Sequence, residues 1–155
     1  MHYWLMKSEP DVFSLEHLRA KPQGTAPWDG VRNYQARNFM RAMQVGNRML
    51  FHHSSCPEPG IAGVAEIVGA ARPDPTQFDP KSEFFDPGAK AADPRWSLVD
   101  VRYLATFPKF VSLATMRETA ALKDFRLLWP GNRLSVIPVS PAEYKAICKL
   151  GGWKG

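Results

Sequence analysis

Little in this chain supports covalent or metal-held architecture. Its only cysteines, Cys56 and Cys148, lie far apart and in no CxxC pair. That excludes a disulfide framework and a paired-thiol zinc site, and reads as two reduced thiols in a reducing compartment. No apolar run approaches the ~18 residues a membrane-spanning helix needs. The start, Met1-His2-Tyr3-Trp4-Leu5-Met6-Lys7, lacks a basic stretch followed by a long apolar one, so no secretory signal is expected. A cytoplasmic protein without membrane contact is the expectation. Also missing are GxSxG, Walker A and HExxH motifs, and Pro59-Gly60-Ile61-Ala62-Gly63 is not a GxGxxG loop. There is no internal repeat, heptad seam or linker, which leaves one domain spanning 1–155.

The 155 residues are 45% hydrophobic and 12% aromatic, the composition of a folded chain with a real core. Fourteen prolines favour short elements and long loops over a helical bundle. Lys and Arg outnumber Asp and Glu by 20 to 15, a net +5. That balance suits a polyanion partner, although the charge is spread along the chain.

Periodicity gives an α+β order. Tyr3–Met6 reads as a buried strand with a polar exit at Lys7-Ser8-Glu9-Pro10, and Ser14 as the cap of a helix over 15–20. Residues 21–32 read as loop. Asn33 caps a helix whose apolar face is Ala36, Phe39, Met40 and Met43, with Tyr34, Arg37, Asn38 and Arg41 opposite and Gly46 as its stop. Arg41 reads as simply solvated. Strands follow over 48–53 and 61–71 as an antiparallel pair, with Gly63 marking a bulge or close backbone approach. Residues 72–95, with five prolines, read as a long surface excursion. The clearest alternation is 96–107. A helix capped by Ser112 over 113–119, a strand over 134–139 and a helix over 141–150 with a Ser140/Glu143 capping box complete the chain. A partly closed small β-barrel, mostly antiparallel with flanking helices, fits this order.

The chemistry concentrates in Trp28-Asp29-Gly30-Val31-Arg32-Asn33-Tyr34-Gln35-Ala36-Arg37. An indole in a turn, beside amides and a guanidinium at a helix start, is what a pocket for a planar polar ligand needs. Core duty is the commoner role for a lone Trp. Trp4 and Trp96 read as core. Phe84 and Phe85 are either a second ring wall or a plug pinning the long loop. His52 and His53, adjacent on a strand, point to opposite faces and cannot share a metal ion unless the backbone bends. One is then inward and hydrogen-bonded, the other outward. Alternatively His53 and Ser54 offer polar edges to a pocket. Cys56 with His53 lacks an orienting third group for nucleophilic chemistry. Arg133, in a Pro-Gly-Asn-Arg turn, could clamp a phosphate or carboxylate. No cofactor is expected, and the chain is expected to act as a monomer.

Five ordered motifs carry a family resemblance: Trp4-Leu-Met-Lys-Ser-Glu-Pro10; Trp28–Arg37; His53-Ser54 followed by Pro59–Gly63; Trp96-Ser-Leu-Val-Asp-Val101; and Arg133-Leu-Ser-Val-Ile-Pro-Val139. Together they resemble the EVE domain family. The resemblance implies a PUA-like fold, kinship with YTH readers of methylated adenine, and recognition of a modified base, chiefly modified cytosine in DNA or else a modified RNA base. By that resemblance Trp28 would be a cage wall and Lys7, Ser8 and Glu9 would approach the base edge. Asn33, Tyr34 and Arg37 would line the pocket or the backbone path. One concave site, built from Lys7–Glu9, Trp28–Arg37, His53–Ser54 and Arg133, is the expectation. The alternatives are an enzyme acting on RNA or nucleotides through His53 or Lys7, and an anion-binding module near Arg133.

Overall fold

A computed structural model describes residues 1–155. The strands are β1 (Tyr3–Ser8), β2 (Thr25–Trp28), β3 (Arg48–His53), β4 (Gly60–Pro73), β5 (Ser97–Ser112) and β6 (Val136–Val139). They form one six-stranded sheet in the order β2-β5-β4-β3-β1-β6. All neighbours are antiparallel except β1 and β3, which run parallel with Lys7 opposite His52 and Ser8 opposite His53. The helices are α1 (Pro10–Phe13), α2 (Leu15–Arg19), α3 (Tyr34–Ala42), α4 (Leu113–Arg117) and α5 (Pro141–Leu150).

Strand alternation sorts the apolar residues onto two faces. Trp4, Met6, Met49, Phe51, Val99 and Val101 pack with Leu15 and Leu18 of α2 and Ala36 and Met40 of α3. Leu5, Leu50, Val64 and Ile137, one residue out of phase, pack with Met116 of α4 and Tyr144 and Ile147 of α5. The sheet bends strongly. Trp28 on edge strand β2 meets Phe51 on β3, three strands away in hydrogen-bonding order, with ring centroids 5.2 Å apart. β2 and β6 remain edges, so the barrel stays open.

Bulges produce the bend. Pairing of β4 with β5 shifts register between Ile61 and Gly63, among other places. Gly63 is the close approach expected of it: a Cβ there would stand 2.1 Å from the Ala105 carbonyl oxygen.

Several boundaries differ from expectation. Residues 21–32 are not all loop, because Thr25–Trp28 pairs with Arg102–Val99 as an edge strand. The short apolar–polar run is hidden by Pro27, which an edge strand tolerates. Trp28 therefore ends a strand rather than sitting in a turn. β5 continues through Pro108 to Ser112 because its far half pairs with the start of β4. α3 ends at Ala42, with Met43 as its cap, so Gly46 belongs to the following turn. α4 stops at Arg117 rather than 119, and β6 begins at Val136 rather than 134. Ser14 does cap α2, with His17 completing the capping box, and α5 matches its expected bounds and box.

Candidate nucleic-acid interface

The bend brings the C-terminal ends of β1 and β2 to one cavity of about 490 Å³. β1 contributes Lys7 and Ser8, β2 contributes Ala26 to Trp28, and α1 contributes Val12 and Phe13. Lys21, Asp29 to Arg32, Glu83, Phe84 and Ser135 complete the lining. Trp28 is only 7% exposed. Its ring meets Phe13 and Phe51 edge-on, at 77° and 76°. Trp28 thus serves the core and the pocket together, because the cavity opens where the core ends.

Phe84 lines the cavity with Trp28 and Phe13, whereas Phe85 lies outside it, 38% exposed. Two devices hold Phe84. Gly30 (φ +82°) lets the ring lie against its backbone: a Cβ there would stand 2.7 Å from the ring Cζ. Only glycine combines that conformation with that closeness. Arg32 then donates from Nε (3.0 Å) and Nη2 (2.7 Å) to the Phe84 carbonyl. Gly30→Ala is expected to displace Phe84 while leaving the fold intact. Fluorescence-detected ligand titration should show weakened binding, with a melting temperature lowered by only a few degrees by the strain of a Cβ at this positive φ.

Arg32 is itself fixed by Asp74, whose side chain is wholly buried and 3.1 Å from the guanidinium. Asp74 also accepts from the Gly30 amide (2.9 Å), the Thr76 amide (2.8 Å) and the Thr76 hydroxyl (2.5 Å). Burial pushes the Asp74 carboxyl up, but the Thr76, Gly30 and Arg32 donors outweigh it and hold it below the usual carboxylate range. Buried Gln77 completes the frame, donating to the Asp74 and Trp96 carbonyls and accepting from the Arg95 and Trp96 amides. The long excursion of 72–95 is therefore a braced wall of the pocket. Sequence reading gave Arg32 no role of its own within Trp28–Arg37 and passed over Asp74 and Gln77. The Asp74-Pro75-Thr76 signal of an Asx turn was available, but nothing local pairs it with Arg32.

The pocket edge is polar. Burial lowers the pKa of the Lys7 ammonium, which has no carboxylate partner. Asp29 is raised, first by desolvation and then by Asp74.

The single concave site expected from sequence divides into parts. Lys7, Ser8, Trp28 and Asp29 share the pocket. Glu9 is the exposed N-cap residue of α1, and its carbonyl accepts from the Val12 and Phe13 amides. Asn33 caps α3 by accepting from the Ala36 amide at 2.9 Å. Tyr34 stacks on Trp96 with centroids 4.9 Å apart, and the Arg37 guanidinium lies 4.7 Å from the Tyr34 ring centre. These two form a separate ledge. Arg32, 5.6 Å from both the Phe84 and Trp96 ring centres, joins it to the pocket. Arg41 is not simply solvated, since its Nε donates to Ser97 at 3.0 Å. His53 Nε2 accepts from the Leu15 amide at 3.2 Å, anchoring α2 instead of lining the pocket. Ser54 lies on a neighbouring cavity of about 530 Å³, shared with Lys7 and His52. Arg133 is exposed on a shallower hollow with Asn33.

The histidines also depart from the expected pattern. His52 is the inward one, 3% exposed, yet neither ring nitrogen has a hydrogen-bond partner. Burial, then Lys7 and His53, push its pKa down to about 4. The unfolded imidazole binds a proton near pH 6.5 and the folded one does not. Stability is therefore complete above about pH 6.5 and falls as pH drops toward 4, by about 3 kcal/mol in all. Urea unfolding between pH 4 and 7 should show that slope, and His52→Phe should flatten it. No group of three or more His, Cys, Asp or Glu side chains is placed to hold a metal ion.

A bent, open sheet with an aromatic pocket at its strand ends defines a PUA-like domain. The chain belongs to the EVE domain family, whose model matches residues 2–150. It is 42% identical to human thymocyte nuclear protein 1 across 96% of this chain and 73% of that protein. The structure of human THYN1 in complex with 5-methylcytosine-containing DNA matches with a TM-score of 0.93 at 41% identity, covering 100% of both chains. A structure from Pseudomonas putida matches at 0.92 and 51% identity, over 96% of this chain and 99% of that one. The YTH domain of Zygosaccharomyces rouxii MRB1 shares the fold at a TM-score of 0.54 and 16% identity, over 99% and 88% of the two chains.

Proposed function

We propose that this chain is a non-catalytic reader of a modified base, holding a methylated cytosine turned out of its DNA strand in the Trp28–Phe84 pocket. The observation that carries the reading is the pocket itself. It is a cavity of about 490 Å³ lined by three aromatic rings, Phe13, Trp28 and Phe84, with an ammonium, a hydroxyl and a carboxylate from Lys7, Ser8 and Asp29. Cytosine offers one exocyclic donor and two acceptors along its edge. Asp29 suits the donor, while Lys7 and Ser8 suit the acceptors. The human THYN1 complex with 5-methylcytosine-containing DNA supports applying this chemistry to DNA. His53, one of the two groups the enzymatic alternative would use, has its Nε2 engaged by the Leu15 amide.

Extruding the base costs a few kcal/mol, which stacking at ~1–3 kcal/mol per ring must offset. Single-stranded sites are therefore expected to bind more tightly than duplex ones. Burying one methyl group contributes about 0.8 kcal/mol, so methylcytosine should be preferred over cytosine about fourfold from that term alone. Titration of matched DNA and RNA oligonucleotides, with and without the modification and at two salt concentrations, tests this. Equal affinity for every oligonucleotide, or for none, overturns it.

A further inference from the structure

The cavity beside the pocket is not used by the reading above. It measures about 530 Å³ and adjoins the pocket through Lys7, which lines both. His52, Ser54, Arg117 and Asn132 stand around it, with Trp129 at its rim. The Asn132 amide nitrogen, like the two His52 ring nitrogens, is buried without a partner. Buried polar atoms rarely stay unpaired, because each loses its bonds to water. Here such atoms belong to two side chains that line one cavity, beside two cations and a hydroxyl.

The character of the lining is one-sided. No carboxylate is among the lining residues. Leu113, Leu127 and Leu128 supply apolar wall, and the polar groups among them (ammonium, guanidinium, amide and hydroxyl) all donate, so the complement of the polar part is an anionic oxygen rather than a cation. Trp129 is 52% exposed, with the Arg126 guanidinium 5.5 Å from its ring centre. An open indole face beside a donor-lined cavity is how a single strand is tracked, by a phosphate contact and then a stacked base.

We propose that this cavity seats the phosphodiester flanking the base in the Trp28 pocket, with Lys7 bridging the two and Trp129 stacking the next base. The proposal rests on the base-reading function above. It assigns roles to His52, Arg117, Asn132 and Trp129.

The test uses the full chain and a short single-stranded DNA with one methylcytosine. Its flanking linkages are either natural phosphodiesters or neutral methylphosphonates. The neutral form is expected to bind the parent protein about tenfold more weakly. Arg117→Gln, a change at an exposed position, is expected to weaken the natural form about tenfold and the neutral form less than about twofold. His52→Phe, which keeps a ring in place, should show the same selectivity. Equal loss on both forms, or loss on neither, overturns the proposal. Phe84→Ala should weaken both forms by one common factor. Failure of that control overturns the base pocket and leaves the phosphate seat standing if Arg117→Gln still discriminates. His52 ring ¹⁵N resonances should move with the oligonucleotide. Movement with inorganic phosphate alone would assign the cavity to a free anion and overturn the proposal.

Discussion

Trp28→Ala is expected to destabilise the fold by about 3–5 kcal/mol, the range for emptying a large buried aromatic site. Urea unfolding should show a lower midpoint at unchanged slope. The ring is 7% exposed and packs edge-on to Phe13 and Phe51, joining α1, β2 and β3. Its loss opens a void where the edge strand meets the core, and few neighbours can collapse into it. Binding should weaken as well, by about 1–3 kcal/mol for a lost stack. Trp28→Phe separates the two effects, since it keeps a flat ring and most of the core volume. It should retain most of the stability while binding falls part of the way. If Trp28→Ala is as stable as the parent, the ring is not core. If folded Trp28→Ala binds the methylated oligonucleotide as well as the parent does, the pocket is not the reading site.

The double duty of Trp28 explains how far the sequence could be read. A period of 3.6 located α3 because it buries one face, and an unbroken apolar run located β3 because both of its faces are buried. The short edge strand Thr25–Trp28 escaped because its in-out alternation spans only four residues and Pro27 reads as a turn residue. What the residues alone could not supply was the bend of the sheet. That bend decides which side chains converge, and it arises from register shifts between β4 and β5 at distant positions. Lys7, Ser8, Trp28 and Asp29 were brought to one site by the family resemblance, and they do line one cavity. The resemblance left Tyr34 and Arg37 to line either the pocket or the backbone path. One helical turn carries them onto Trp96. His53 was the more suggestive histidine by motif. Plain alternation on β3 puts His52 on the buried face of Leu50, and His53 on the side of Phe51.

Asp74→Ala is expected to cost about 3–5 kcal/mol, the range for removing one member of a buried ion pair. The value should fall toward the lower end because the Arg32 side chain is 22% exposed and can find water. The loss is not electrostatic alone. The Gly30 and Thr76 amides lose their acceptor, and Arg32 loses the group that aims it at the Phe84 carbonyl. Phe84 should therefore move, and ligand binding should fall even in conditions where the variant is folded. The pH dependence gives an independent signature. The Asp74 carboxyl titrates lower in the folded chain than its ordinary 3.8. Its contribution is complete above about pH 4 and disappears as pH falls through the folded value. Asp74→Asn keeps the shape but removes the charge, so it should be milder and should erase that acid-side decline. The His52 slope between pH 4 and 6.5 should remain. Unfolding curves from pH 2.5 to 7 on the parent, Asp74→Asn and His52→Phe separate the two titrations. An Asp74→Asn curve parallel to the parent's below pH 4 would show that the carboxylate does not hold the Arg32–Phe84 wall by charge.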